Sequence, residues 1–114
     1  MKVKVTIAEN GVAIVEPKVS LVGGDEIDEL KKEVQKLIDI GNKKLIIDLA
    51  NVDYMNSSAI GVLVSFHTSY VNRSGKIIIS NVGKSINNIF VITKLSSIFN
   101  LVENTKDAIA SFSK

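Results

Sequence analysis

Asn51-Val-Asp-Tyr-Met-Asn-Ser-Ser-Ala-Ile-Gly-Val-Leu63 joins the most strand-like run of the chain to its most helix-like run through a knot of small polar residues. On its N-terminal side, Lys44-Leu-Ile-Ile-Asp-Leu49 is short and apolar, the composition of a strand covered on both faces. On its C-terminal side, Ile60, Leu63, Val64, His67 and Val71 recur at helical spacing, which predicts a helix with those five toward the core. The connection therefore delivers Asn56, Ser57 and Ser58 to a helix N-terminus. There a side-chain oxygen can cap free backbone N–H groups, and the helix dipole favours negative charge. One such residue suffices for a cap. Three in a row leave a hydroxyl over, and the residues alone do not separate a functional hydroxyl from a merely polar turn.

Outward toward the N-terminus, Asp25 reads as an N-cap with Asp28 three residues on. Ile27, Leu30, Val34, Leu37 and Ile38 mark one helical face, Lys31, Lys32 and Lys36 point away from it, and Gly41-Asn42 supplies a stop. Before that helix, Val3, Val5 and Ile7 alternate with Lys2, Lys4 and Thr6, and Val12 to Val15 follows Asn10-Gly11, a hairpin signal. Pro17 ends the second strand or sits at its edge, and Val19-Ser-Leu-Val-Gly-Gly24 is a connection. Outward toward the C-terminus, Gly75 breaks the central helix and Lys76 to Ser80 is a second buried strand. Asn81-Val-Gly opens a third helix in which Ile86, Ile89, Phe90 and Thr93 share a face. Val91 and Ile92 fall off that face and are expected to meet a short strand near Ile98 to Val102, the alternative being that they form part of a docking surface. Thr105 is expected to cap a last helix that turns Ala108, Ile109 and Phe112 inward.

Helices alternating with strands predict an α/β fold with parallel neighbours. We expect one domain over residues 1–114, with a small mixed sheet of four to five strands, about four α-helices, and helices mainly on one side of the sheet. A chain of 114 residues can bury one ordinary core. Hydrophobic residues at 46% and charged residues at 23% are values of a soluble globular protein. The net charge of +2, with no basic cluster, gives nucleic-acid binding nothing to stand on. With no Cys and one His, thiol chemistry is excluded and little is left for a transition-metal site. The opening alternation is too short in apolar length for a signal peptide or membrane span, so the cytoplasm is expected and a membrane is not.

A serine nucleophile needs an adjacent base, and His67 is the only histidine. On one helix, nine residues set Ser58 and His67 ~13 Å apart along the axis and about 180° around it, so they cannot touch. His67 is expected among core residues instead. Asp48 and Asp53 flank the loop and are expected to bond to its backbone. An enzyme is therefore not expected, nor is a catalytic residue, cofactor or metal. A binding surface is. Ser58, Gly61, Ser65, Ser69 and Asn72 share the helix face opposite the core with Val62 at its margin, a flat row of small side chains that a partner can approach closely.

Tyr54-Met-Asn-Ser-Ser-Ala-Ile-Gly-Val-Leu63, preceded by Ile46-Ile-Asp-Leu-Ala-Asn-Val52, resembles the signature of the STAS domain, shared by anti-sigma factor antagonists and the tails of sulphate transporters. Gly75-Lys-Ile-Ile-Ile-Ser-Asn-Val82, Ile92-Thr-Lys-Leu95 and Ser97-Ile-Phe99 extend the resemblance over most of the chain. In that family the second serine is phosphorylated by a partner kinase, and it falls on Ser58, with Ser57 the lesser candidate. Asn56 stands where the family usually has Asp, and Ala59 where it usually has Gly. Asn still caps a helix well, and a first turn tolerates Ala. The resemblance implies a bacterial anti-sigma factor antagonist, a cytoplasmic monomer that regulates transcription by partner switching. It would bind a serine kinase anti-sigma factor through Asn56, Ser57, Ser58, Gly61, Val62, Ser65 and Ser69, be released by phosphorylation of Ser58, and be reset by a serine phosphatase. The alternative is a STAS adaptor in a signalling or transport complex that binds without covalent switching. ATP should bind the partner, because this chain has no Gly-rich phosphate loop followed by Lys.

Overall fold

In the computed structural model, which describes residues 2–112, an opening hairpin is followed by alternating helices and strands. The hairpin pairs β1 (Val3–Ile7) with β2 (Ala13–Pro17) antiparallel. Its turn holds Asn10 at φ 67° and Gly11 at φ 75°, left-handed backbone that Asn and Gly adopt with least strain. α1 (Gly24–Asp39) then leads to β3 (Lys44–Asp48), α2 (Ser57–Asn72) to β4 (Lys76–Ser80), α3 (Lys84–Ile92) to β5 (Asn100–Val102), and α4 (Thr105–Ser111) comes last. β2 to β5 are parallel, and the sheet order is that of the chain, β1-β2-β3-β4-β5. This is the small mixed sheet with four helices that the sequence predicts.

Alternation along the strands divides the interior in two. Ala13, Val15, Leu45, Ile47, Ile77 and Ile79 face the larger layer, made by Leu30 and Val34 of α1, Leu63, Phe66 and Tyr70 of α2, and Ile86 and Phe90 of α3. Val12, Ile46 and Ile78 face the other side, where Ala108 closes over them and Ile109 and Phe112 pack beside it. Leu45, Ile46 and Ile47 are all 0% exposed, so β3 is covered on both faces as its continuous apolar run requires. The Tyr70 hydroxyl donates to Asn42 Oδ1 at 2.8 Å, and burial pushes its pKa up to about 12.

Four local expectations change. α1 begins earlier than an Asp25 cap would place it: its cap is Gly23, whose N–H donates to Glu26 Oε2 at 2.8 Å, and Asp25 lies in the first turn where the dipole favours it. Its C-terminus matches expectation. Gly41 at φ 84° donates to the Ile38 carbonyl, and Asn42 to that of Leu37. In α2 the buried stripe is Ala59, Leu63, Phe66 and Tyr70. Ile60, Val64 and His67 flank it and Val71 is exposed, because the two aromatic rings claim the sheet and rotate the helix toward themselves. Val91 and Ile92 do not meet β5. They are 55% and 79% exposed, since Leu95 and Phe99 fill the inward positions before the strand. Finally, α4 is capped by Asn104, which accepts from the Asp107 N–H at 2.8 Å, and Thr105 is turned toward β3.

Candidate functional site at the start of α2

β3 ends at Asp48, and its carboxylate ties the strand end to its surroundings. Oδ1 accepts from the Ala50 N–H at 2.9 Å and from Asn81 Nδ2 at 3.0 Å, while Thr105 Oγ1 donates to Oδ2 at 2.9 Å. Ser80 Oγ lies 2.8 Å from the same threonine hydroxyl. A carboxylate so engaged, and nearly buried, holds strand ends and α4 together. Asp53 is exposed and contributes its backbone instead: the Asp53 and Tyr54 N–H groups both donate to Ser20 Oγ.

The loop is zipped onto the segment before α1. Leu21 N–H donates to the Tyr54 carbonyl, Asn56 N–H donates to the Leu21 carbonyl, and Leu21 bridges Met55 in parallel pairing. Val52 and Met55 anchor the loop in the core. Asn56 is the N-cap of α2. Its Oδ1 accepts from the Ala59 N–H at 2.9 Å, and its Nδ2 donates to the Val22 carbonyl at 3.0 Å. The second bond explains an amide at this position, since a carboxylate has no N–H for that carbonyl. Asn56→Asp should therefore lower stability by about 1 kcal/mol in urea unfolding; an unchanged midpoint would show that the Val22 bond contributes nothing.

Ser57 and Ser58 occupy the first two helical positions, and both are exposed. Ala59 N–H is taken by the cap and Ile60 N–H by the Asn56 carbonyl, so the Ser57 and Ser58 N–H groups are the free ends of the helix. Farther along, Ser65 Oγ donates to the Val62 carbonyl and Thr68 Oγ1 to that of Val64, each folded back on its own helix. The Ser57, Ser58 and Ser69 hydroxyls have no partner among the described residues. Gly61 and Ser65 are exposed and Val62 and Ser69 half-buried, so the expected face of small side chains is present, with Thr68 added to it. The sequence reading missed three neighbours of this helix end: Ser20, which holds the loop, and Val22 and Tyr54, whose side chains are exposed beside the cap. Polar spacing could have found Ser20, but exposure of an isolated Val or Tyr has no sequence signal.

His67 lies on the other flank of α2, half-buried, with its ring edge-on to Phe99 at 5.3 Å and 67°. His67→Gln should lose the ring contact and about 1 kcal/mol of stability, whereas His67→Phe should retain it. Neither should change affinity for a partner on the Ser58 face; loss of affinity in a variant that melts normally would put His67 in the interface. Two shallow surface grooves run beside β1, lined by Ile7, Ile40 and Lys44 and by Val3, Lys18 and Glu33, and no residue of α2 lines either. Among the described residues no cluster of His, Cys, Asp and Glu suits a metal ion, and no helix is long and apolar enough to cross a membrane.

Three known proteins are similar to this chain. BtrV of Bordetella bronchiseptica, provisionally named an anti-sigma factor antagonist, is 22% identical over 92 residues, covering 81% of this chain and 79% of BtrV. The crystal structure of a Thermotoga maritima protein, also provisionally named an anti-sigma factor antagonist, superposes with a TM-score of 0.90 at 19% identity, covering 98% of this chain and 95% of that one. The Bacillus cell-fate determinant SpoIIAA in its phosphorylated form superposes with a TM-score of 0.77 at 13% identity, covering 96% and 98%. The model of the STAS domain matches residues 6–108, nearly the whole of the sheet and its helices, and the chain belongs to the STAS domain family.

Proposed function

We propose that this chain is an anti-sigma factor antagonist of the cytoplasm whose unphosphorylated form binds a serine kinase anti-sigma factor through the exposed face of α2, and that phosphorylation of Ser58 ends the complex. The observation that carries the proposal is the state of Ser58: an exposed hydroxyl without an intramolecular partner among the described residues, on a residue whose own N–H is also free, at the edge of a face made of Gly61, Val62, Ser65 and Ser69. The names of the relatives support it. In the transfer, Ser58 Oγ attacks the γ-phosphorus of ATP held by the kinase, ADP leaves, and the hydroxyl proton passes to the kinase. The phosphate carries about −1.5 to −2 charge at pH 7 and is tolerated where helix N–H groups are free. A serine phosphatase reverses the modification.

Incubation with ATP and the serine kinase anti-sigma factors of the same cell, with phosphosite mapping of the product, tests the proposal. Phosphate on Ser58 is expected; phosphate on Ser57 with Ser58 unmodified overturns the residue assignment. A stable complex with no phosphate transfer supports a second reading, the STAS adaptor, which is favoured by Asn56 placing a neutral amide where a carboxylate beside Ser58 is usual.

A further inference from the structure

β1 is an edge of the sheet, and the β1–β2 ladder fixes which of its groups face outward. Lys18 N–H donates to the Lys2 carbonyl and Ala8 N–H to the Val12 carbonyl, both at 2.7 Å. Lys4, Thr6, Ala8 and the Lys2 carbonyl therefore bond toward β2, and Val3, Val5 and Ile7 turn their N–H and C=O groups away from it. Pro17 opposite Val3 fits, because that position needs no N–H. Glu29 of α1 reaches over the edge and accepts from the Val3 N–H at 2.8 Å and the Lys2 N–H at 3.0 Å. The outward groups of Val5 and Ile7 have no partner among the described residues. Their side chains are 37% and 56% exposed, and Ile7 shares a groove with Ile40, itself 75% exposed.

We propose that this edge pairs antiparallel with the same edge of a second copy of the chain, about a two-fold axis at Thr6. The free groups set the register. Val5 of each copy lies opposite Ile7 of the other and exchanges both backbone hydrogen bonds with it, while Val3 N–H stays with Glu29. A register centred on Val5 would require the Val3 N–H that Glu29 already holds. With the axis at Thr6, the two threonines meet at a non-hydrogen-bonded position, where side chains come closest and Thr–Thr pairs are favourable. Lys4 lies opposite Ala8, so no like charges are opposed. Val5 and Ile7 of both copies form one apolar row, with Ile40 at each end. This self-complementarity favours a second copy over an unrelated strand. The interface is small and belongs with weak, transient contacts. It leaves Ser58 and the exposed face of α2 free, so it stands independently of the proposed function.

The chain has no cysteine, so a single introduced one reports the register. Thr6→Cys should form a disulfide-linked dimer under mild oxidation at least about tenfold faster than Lys4→Cys, because only the former brings the two thiols together. Sedimentation equilibrium of the unaltered chain should show dimer at high concentration. Ile7→Pro removes an outward N–H without touching the β1–β2 ladder and should remain monomeric under the same conditions. Thr6→Lys, which opposes two ammonium groups, should do the same and covers the case of a folding defect in the proline variant. A chain that sediments as a monomer up to about 1 mM, a concentration that would half-populate a complex worth only about 4 kcal/mol, overturns the proposal and leaves the edge to a strand of another protein. Equal cross-linking of Thr6→Cys and Lys4→Cys overturns it as well, and so does a dimer that survives both Ile7→Pro and Thr6→Lys.

Discussion

Ser58→Asp should melt close to the unaltered chain yet bind the serine kinase anti-sigma factor about 2–5 kcal/mol more weakly, the range for a charge buried in an interface without a counterion. That is a loss of roughly 30- to 5,000-fold in affinity. The two halves of the expectation have separate causes. Ser58 is the second residue of α2, with its N–H free, so a carboxylate there is favoured by the dipole and strains nothing. Its side chain stands at the rim of the face formed by Gly61, Val62, Ser65 and Ser69, so the same charge meets any partner that covers that face. Ser58→Ala should bind constitutively and resist phosphorylation. A helix-start role for Ser58 predicts the opposite pattern, with Ala losing about 1 kcal/mol of stability and neither variant changing affinity. Asn56 already caps α2, which argues against that role. Thermal melts and titration calorimetry on the two variants decide between the patterns.

Ile47→Ala should destabilise the fold by about 2–5 kcal/mol in urea unfolding. Ile47 is fully buried on the central strand, paired with Val15 on one side and Ile79 on the other, and it faces the layer made by α1, α2 and α3. No neighbour is free to fill the space, since both flanking strands are pinned by their own ladders. A cost below about 1 kcal/mol, typical of surface changes, would remove β3 from the centre of the sheet.

The strands and the order of elements were legible because their signals are local. Asn10-Gly11 needs no tertiary context to turn, and Leu45-Ile-Ile47 and Ile77-Ile-Ile79 read as doubly covered strands from composition alone. Helix rotation was not legible. Aliphatic spacing in α2 picked Ile60, Val64 and Val71, but Phe66 and Tyr70 offer more area and win the sheet, and Tyr70 also gains the Asn42 hydrogen bond. The caps were misplaced for a related reason. Asp25 and Thr105 are good capping residues by type, yet each sits one or two positions inside its helix, because Glu26 and Asn104 satisfy the end and Thr105 is drawn toward Asp48. At the candidate site, position and exposure of Ser57, Ser58, Gly61 and Ser65 agree with the sequence reading. The tie from Asn56 to Val22 was out of reach, since it joins residues 34 apart through a carbonyl that any residue could supply.

The position of α4 has a consequence for how the sheet is covered during synthesis. Ile14, Ile46 and Ile78 stand side by side on three adjacent parallel strands, and the cover over this row is α4 with Phe112. On the ribosome, the strands and α1 to α3 emerge first and can gather on the other side of the sheet while the isoleucine row stays open to solvent. It remains so until residues 105–112 clear the exit tunnel. A chain interrupted before Thr105 would therefore present a flat, uncharged, β-branched surface of the kind that templates aggregation, and would leave Asp48 without its hydroxyl donor. A chain without α4 is therefore a client for chaperones and proteases and not a weaker copy of this fold.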